Sequence, residues 1–247
     1  MAAATMLDLS LQSGPAPLVV AMVASFLLGS IPAAYIAGKA KGVDLRKHGS
    51  GNLGATNVIR VLGKKIGIAV FAFDMAKGAF PVYFFPRWAE SLGAPFANPV
   101  WAAILCGIAA IVGHVRPIYL GFGKGGKGVA TAAGVFLALA PTQTLLTLVV
   151  FGVVLFSSGY VSLGSLTAGL ILPVLLALSI GVRSPVFAIS VLVAAFVFWT
   201  HRANIARLRK GEEHRFGKHK ETGAKPTATL AIGAVIALAV LIAARFA

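Results

Sequence analysis

Long apolar runs alternate with short polar stretches along the chain, near residues 18–38, 66–86, 99–120, 129–140, 142–157, 161–181, 185–200 and 228–244. Each reads as a membrane helix, although a bilayer core about 30 Å thick asks for ~20 helical residues and several of these runs are shorter. Over 129–200 the eye finds three long runs. Pro141 divides them further, because proline cannot continue a helix without losing a backbone hydrogen bond and clashing with the preceding turn. The resulting four segments include two short ones, which predict tilted or re-entrant helices surrounded by protein. The predicted fold is an all-α integral membrane protein: a polytopic helical bundle of seven spans before residue 201, with 228–244 long enough for an eighth, C-terminal span. Residues 1–225 are expected to form one membrane domain and 226–247 an additional C-terminal transmembrane segment.

The polar stretches are unequal. Residues 39–65 carry seven Lys and Arg, 114–128 carry three and 201–225 carry eight, whereas only Arg87 and Arg183 mark the other connections up to residue 225. The positive-inside bias puts all three basic stretches in the cytoplasm and the N-terminus outside. Two loops share a side only if an even number of spans separates them, which is why Pro141 must break the 129–200 region.

Composition agrees with the patterning. Hydrophobic residues make up 58% and charged residues 12%, too little polar surface to cover a soluble domain of 247 residues. A net charge of +15 suits anionic headgroups or anionic substrates, and the apolar spans argue against nucleic acid. The single Cys106 lies in an apolar run and permits no internal disulfide. The five histidines show no metal-ligand spacing, so no metal and no cofactor are expected. The first 17 residues contain Asp8 and no Lys or Arg, so they read as a short tail before the first span, not as a signal peptide.

Candidate chemistry gathers in the three basic stretches. Gly121-Phe-Gly-Lys-Gly-Gly-Lys-Gly128 holds five glycines whose N–H groups can converge on an anion, with Lys124 and Lys127 beside Gly125, Gly126 and Gly128. It fits the first seven positions of a P-loop, yet Gly128 stands where Mg²⁺ would need a hydroxyl, which disfavours nucleotide hydrolysis. The bland alternative is a solvated lysine turn. Residues 46–65 mix Ser50, Asn52, Thr56, Asn57 and Arg60 with glycines. Hydroxyl, amide and guanidinium donors of this kind suit a phosphate, unless the stretch simply grips lipid headgroups. His201 and Asn204, three apart, share one face of a helix leaving the membrane, although a histidine there is often structural. Glu212 and Glu213, two of seven acids, sit among basic residues and predict an ion pair that ties this stretch together.

At these residues the chain resembles the bacterial glycerol-3-phosphate acyltransferases that use acyl phosphate, the PlsY family. The matching strings are Leu28-Gly-Ser-Ile-Pro32, Gly49-Ser-Gly-Asn-Leu-Gly-Ala-Thr-Asn-Val58 with Arg60, and Gly63-Lys-Lys65. Asp74 with Lys77-Gly78 and Pro81, Gly113-His114 with Pro117, Lys124-Gly-Gly-Lys-Gly-Val-Ala-Thr131, and His201, Asn204 and Gly211 continue them. The similarity runs from about residue 20 to 215 and departs at Arg116 and Gly123. It implies a bacterial inner-membrane enzyme with its active site on the cytoplasmic side. The implied reaction moves a fatty acyl group from acyl phosphate to the 1-hydroxyl of sn-glycerol 3-phosphate, giving lysophosphatidic acid and phosphate. It also implies roles: Ser50, Arg60, one loop lysine, His201 and Asn204 around the glycerol phosphate, to which the residue chemistry adds Asn52 and Asn57 as substrate-binding amide donors. The glycines of 125–128 would bind acyl phosphate, and Glu213 would hold the site together. The partners are the two substrates, membrane lipids and, as a candidate, a soluble acyl-phosphate synthase.

Two other classes compete. A transporter of a phosphorylated anion also wants spans and basic mouths, but the interior holds few ionisable residues, Asp74 and Lys77 being near exceptions. A non-catalytic lipid-binding scaffold does not require Ser50, Asn52, Asn57, His201 and Asn204 together.

Overall fold

The computed structural model describes residues 15–93 and 99–216. The expected C-terminal span at 228–244 and the start of the chain lie outside the described residues. Every regular element among the described residues is helical, as the patterning requires. The chain divides at Leu139/Ala140 into two compact units.

The first unit holds α1 (Ala16–Gly29), α2 (Ala33–Ala40), α3 (Ala55–Leu62), α4 (Lys64–Ser91), α5 (Pro99–Val115) and α6 (Val129–Leu139). Its helices approach closely because small residues face one another. A Cβ on Gly29 of α1 would overlap the Ala110 backbone of α5, and Cβ atoms on Gly78 and Gly134 would overlap the Thr131 and Met75 carbonyls across the α4/α6 contact. Lipid offers no hydrophobic drive between helices, so such close backbone packing carries much of the association. Residues 30–32 interrupt the first apolar run. Pro32 lacks an N–H, so the chain turns there and restarts as α2, leaving the Ile31 carbonyl outside the regular helical ladder. A second corner lies at Gly63, whose φ of +92° separates α3 from α4 and is accessible chiefly to glycine.

The second unit holds α7 (Pro141–Ser158), α8 (Val161–Ser179), α9 (Pro185–Thr200) and α10 (Arg202–Lys210). Gln143 Nε2 donates to Ser179 Oγ at 2.9 Å, which ties the start of α7 to the end of α8. The axes of α9 and α10 differ by 58°, and His201 is the joint.

Each of the seven apolar segments before residue 201 contains a helix, and Pro141 does mark a helix start. The number of crossings is a separate matter. Five segments are long and apolar enough to cross a membrane, six if α9 and α10 are taken as one bent span. The remaining one, α6, has 11 residues. At 1.5 Å per residue that is about 16 Å, roughly half a bilayer core. The membrane class therefore stands, while helix length alone does not establish seven crossings.

Candidate active site

The first basic stretch is anchored from below. Leu45, Leu53 and Val58 are buried with Ala34 and Val70, so the polar residues between them are held on a small apolar floor. Asn57, 1% exposed, organises the turn above it. Its Nδ2 donates to the Leu45 and His48 carbonyls at 3.2 and 3.0 Å, and its Oδ1 accepts the Ser50 N–H at 2.8 Å. Asn57 thus fixes the backbone that carries Ser50, which is exposed, and Asn52, which is half-buried. Arg60 stands half-buried in the last turn of the same helix, α3. Nearby, Asp44 Oδ1 and Oδ2 accept from Arg46 Nε and Nη2, both at 2.9 Å. Those hydrogen bonds hold the Asp44 carboxyl down at about 2.

The glycine loop is equally well seated. Gly125 N–H donates to the Val115 carbonyl at 3.0 Å, and Gly125, Gly126 and Gly128 are buried. Lys124 is exposed and Lys127 half-buried. Gly128 has φ +81°, a value that suits glycine at the entry to α6. Phe122 holds φ +58°, an outlier for a bulky residue, and its ring stacks on Phe26 with centroids 6.3 Å apart. A small cleft joins Gly125 and Gly126 to Leu53 of the first basic stretch and to Asp74, Lys77 and His114. The fold thus brings two of the three predicted anion-binding stretches together.

The polar wall of this cleft was legible only in pieces. Asp74 and Lys77 lie three apart on α4, and Lys77 Nζ is 2.9 Å from Asp74 Oδ1. The same ammonium donates to the Ile31 carbonyl at 2.8 Å, the group left outside the ladder where α1 breaks. His114 Nδ1, near the end of α5, stands 3.5 Å from Asp74 Oδ1, within ion-pair range but outside hydrogen-bond geometry. All three residues are at most 6% exposed.

In the second unit Glu213 is a hub with a side chain 6% exposed. Its Oε1 accepts from Asn204 Nδ2 at 2.7 Å and Ser162 Oγ at 3.2 Å, and its Oε2 from Arg207 Nε at 2.7 Å. His201, 3% exposed, donates from Nδ1 to the Val197 carbonyl at 2.8 Å. A carbonyl can only accept, so the neutral ring carries its proton on Nδ1 and its lone pair on Nε2. His201 and Asn204 are both buried: His201 is the joint that caps the start of α10, and Asn204 lies in the first turn of that helix. The segment after α10 folds back: Phe216 N–H donates to the Gly159 carbonyl at 2.8 Å, and Arg215 Nε to Tyr160 Oη at 2.7 Å.

The sequence did not reveal Ser162 as a partner of Glu213, nor Asp74, Lys77 and His114 as one group. A serine just after a Gly-Tyr corner, and two opposite charges at helical spacing inside an apolar run, were the available signals.

The described residues thus define a helical membrane protein whose polar groups are buried within each unit and whose glycine- and lysine-rich loop has the chemistry of an anion site. Comparison with known proteins makes this specific. The family described as Glycerol-3-phosphate acyltransferase matches residues 19–211, across both units. The chain is 45% identical over 198 residues to the glycerol-3-phosphate acyltransferase of Geotalea daltonii, covering 80% of this chain and 97% of that protein. It is 48% identical over 195 residues to that of Geobacter metallireducens, covering 79% and 95%. A crystal structure of PlsY, an integral membrane glycerol 3-phosphate acyltransferase, in its glycerol 3-phosphate form matches with a TM-score of 0.72 at 40% identity, over 81% of this chain and 96% of that one. Its lysophosphatidic acid form matches with a TM-score of 0.69 at 39% identity, over 81% and 95%. The chain belongs to the glycerol-3-phosphate acyltransferase family and is an acyltransferase of the PlsY type.

Proposed function

We propose that this protein transfers a fatty acyl group from acyl phosphate to the 1-hydroxyl of sn-glycerol 3-phosphate, releasing lysophosphatidic acid and inorganic phosphate, on the cytoplasmic side of a bacterial inner membrane. The observation that carries the reading is that a similar fold is known with glycerol 3-phosphate and with lysophosphatidic acid, one side of the reaction and the other. The family match spans both units, so residues 1–225 are taken as one acyltransferase domain. Relatives at 39–48% identity that are named acyltransferases favour this over a transporter of phosphorylated anions.

The acyl phosphate donor is a mixed anhydride with a good leaving group, so no protein nucleophile is needed. Two anionic phosphates must approach, and dense cationic and N–H donors offset their repulsion. In this reading the glycine loop 125–128 receives the donor phosphate, Gly126 and Gly128 at their backbone and Gly125, whose N–H is held by the Val115 carbonyl, by shaping the turn, with Lys124 and Lys127 adding charge. Ser50, Asn52 and Arg60 bind glycerol phosphate and Asn57 serves by holding the Ser50 turn; His201 and Asn204 are the second unit's contribution to the reaction, with Glu213 fixing Asn204. Nε2 of His201 is the nitrogen that would accept a hydroxyl proton or meet a phosphate. The purified protein, given glycerol 3-phosphate with acyl phosphate, acyl-CoA or acyl carrier protein thioester in parallel, should form lysophosphatidic acid from acyl phosphate alone. Product from a thioester with none from acyl phosphate would sink the donor assignment.

A further inference from the structure

We propose that His114 is a positioning residue: braced by Asp74 and Lys77, its imidazole sets the seat of the glycine loop and thereby the affinity for the acyl donor's phosphate, without touching either substrate. The inference rests on the assignment of that loop to the donor. The three charged or titratable side chains tie together three separate parts of the first unit. Asp74 and Lys77 come from α4, His114 from the end of α5, and the Ile31 carbonyl from the break between α1 and α2.

The group cannot itself attract an anion through net charge, because the Lys77 ammonium and the Asp74 carboxylate are 2.9 Å apart and neutralise each other. What it offers is a fixed surface, and the glycine loop lies on it. A Cβ on Gly126 would overlap His114 Nε2, and one on Gly125 would overlap the His114 carbonyl. A Cβ on Gly126 would also come 3.1 Å from the Leu53 carbonyl, where the first basic stretch passes. Glycine is therefore required at 126 for the loop to rest against the imidazole, in addition to any need for bare backbone toward a phosphate. Because the imidazole is 6% exposed and backed by Asp74, it has little room to yield.

A residue that only stabilises the fold would change the amount of active protein and leave the Michaelis constants alone. A residue that sets the loop changes the donor constant selectively. Full-length protein in liposomes, assayed with hexadecanoyl phosphate and glycerol 3-phosphate varied independently, separates the two. His114→Ala and Gly126→Ala should each raise KM for the acyl phosphate on the order of tenfold, with KM for glycerol 3-phosphate held within about twofold. The double variant should be no worse than the worse single, because removing the imidazole makes room for the added methyl group. If His114→Ala gives no folded protein by gel filtration, His114→Gln and His114→Asn replace it. Glutamine keeps a polar atom at the reach of Nε2 and should retain donor affinity better than asparagine, which reaches only toward Asp74. Multiplying effects in the double variant, a change confined to glycerol 3-phosphate, or equal losses for Gln and Asn would overturn the proposal. A wild-type protein that uses only a thioester donor would overturn the donor assignment instead, and the same variants assayed with that thioester would still decide the His114 contact.

Discussion

At the scale of single residues, what distinguishes this chain is how many of its polar side chains hold backbone. Asn57 is the clearest case: as a sequence letter between Thr56 and Arg60 it looks like one more amide donor for an anion, yet its whole amide is used on the 45–50 turn. Nothing in a sequence distinguishes an amide that faces outward from one that folds back, because burial decides it. Arg60 belongs to the outward-facing kind in the proposed reaction. A guanidinium gives two parallel hydrogen bonds to a phosphate where an ammonium gives a point charge, and a lost charged hydrogen bond is worth about 1.5–3 kcal/mol. Arg60→Lys should therefore lower kcat/KM for glycerol 3-phosphate by roughly 10- to 100-fold. A fall of less than about twofold would remove Arg60 from the site.

Asp44 gives a residue-scale prediction of a different sort. Its carboxyl is held at about 2, below the ordinary 3.8, by hydrogen bonds from Arg46. A carboxyl depressed in the folded state stabilises above its unfolded pKa and ceases to do so as pH falls through its folded pKa. Asp44→Asn should lower the thermal midpoint slightly at neutral pH, and the gap from wild type should close as pH falls from 3.8 to about 2. A gap that is constant across this range would mean the Arg46 contact contributes nothing.

At the scale of elements, the helices were readable and their seams partly so. Apolar runs and Pro141 marked seven segments because a membrane helix must be apolar over its whole length and proline interrupts it. The break at residues 30–32 lay inside one apolar run and was read as continuous, although Gly29, Ser30 and Pro32 were its signals. The grouping of Asp74, Lys77 and His114 was out of reach, because only the i,i+3 pair is written along one helix and the third member arrives by packing. Those seams depend on glycine. Gly134 on α6 meets the Met75 carbonyl of α4, backbone against backbone, so Gly134→Val has no flexible neighbour to displace. Overpacking of this kind costs about 1–3 kcal/mol or more, and the variant should lose folded yield and thermal midpoint. Gly152 on α7 has nothing within 4 Å of an added Cβ, so Gly152→Ala should be neutral or stabilising by about 0.5–1 kcal/mol. Equal midpoints for the two variants would contradict the packing argument.

At the scale of the whole molecule, the distribution of charge is the informative quantity. The three basic stretches alternate with connections that hold almost no Lys or Arg, so the positive-inside bias predicts that 39–65, 114–128 and 201–225 face the same compartment. Single cysteines at Lys47, Lys124 and Arg209 in a Cys106→Ala background should resist an impermeant thiol reagent in intact cells. All three should react in inside-out vesicles. Labelling of one or two of them in intact cells would put the basic stretches on opposite faces, and a single cytoplasmic reaction centre would no longer be tenable.

The pair on α4 also bears on how the protein is made. A lone charge at the centre of a helix entering the bilayer through the translocon is disfavoured by about 2.5–3.5 kcal/mol. Asp74 and Lys77, one turn apart, let the nascent segment carry its own counterion, so it can partition into lipid as a nearly neutral helix. The partner histidine is supplied only when the next apolar helix has been synthesised and packed, and the Ile31 carbonyl comes from a segment that is already in place. Insertion and packing thus call on the same two side chains at different times: first as a pair that keeps the entering helix nearly neutral, then as part of the lining of the cleft.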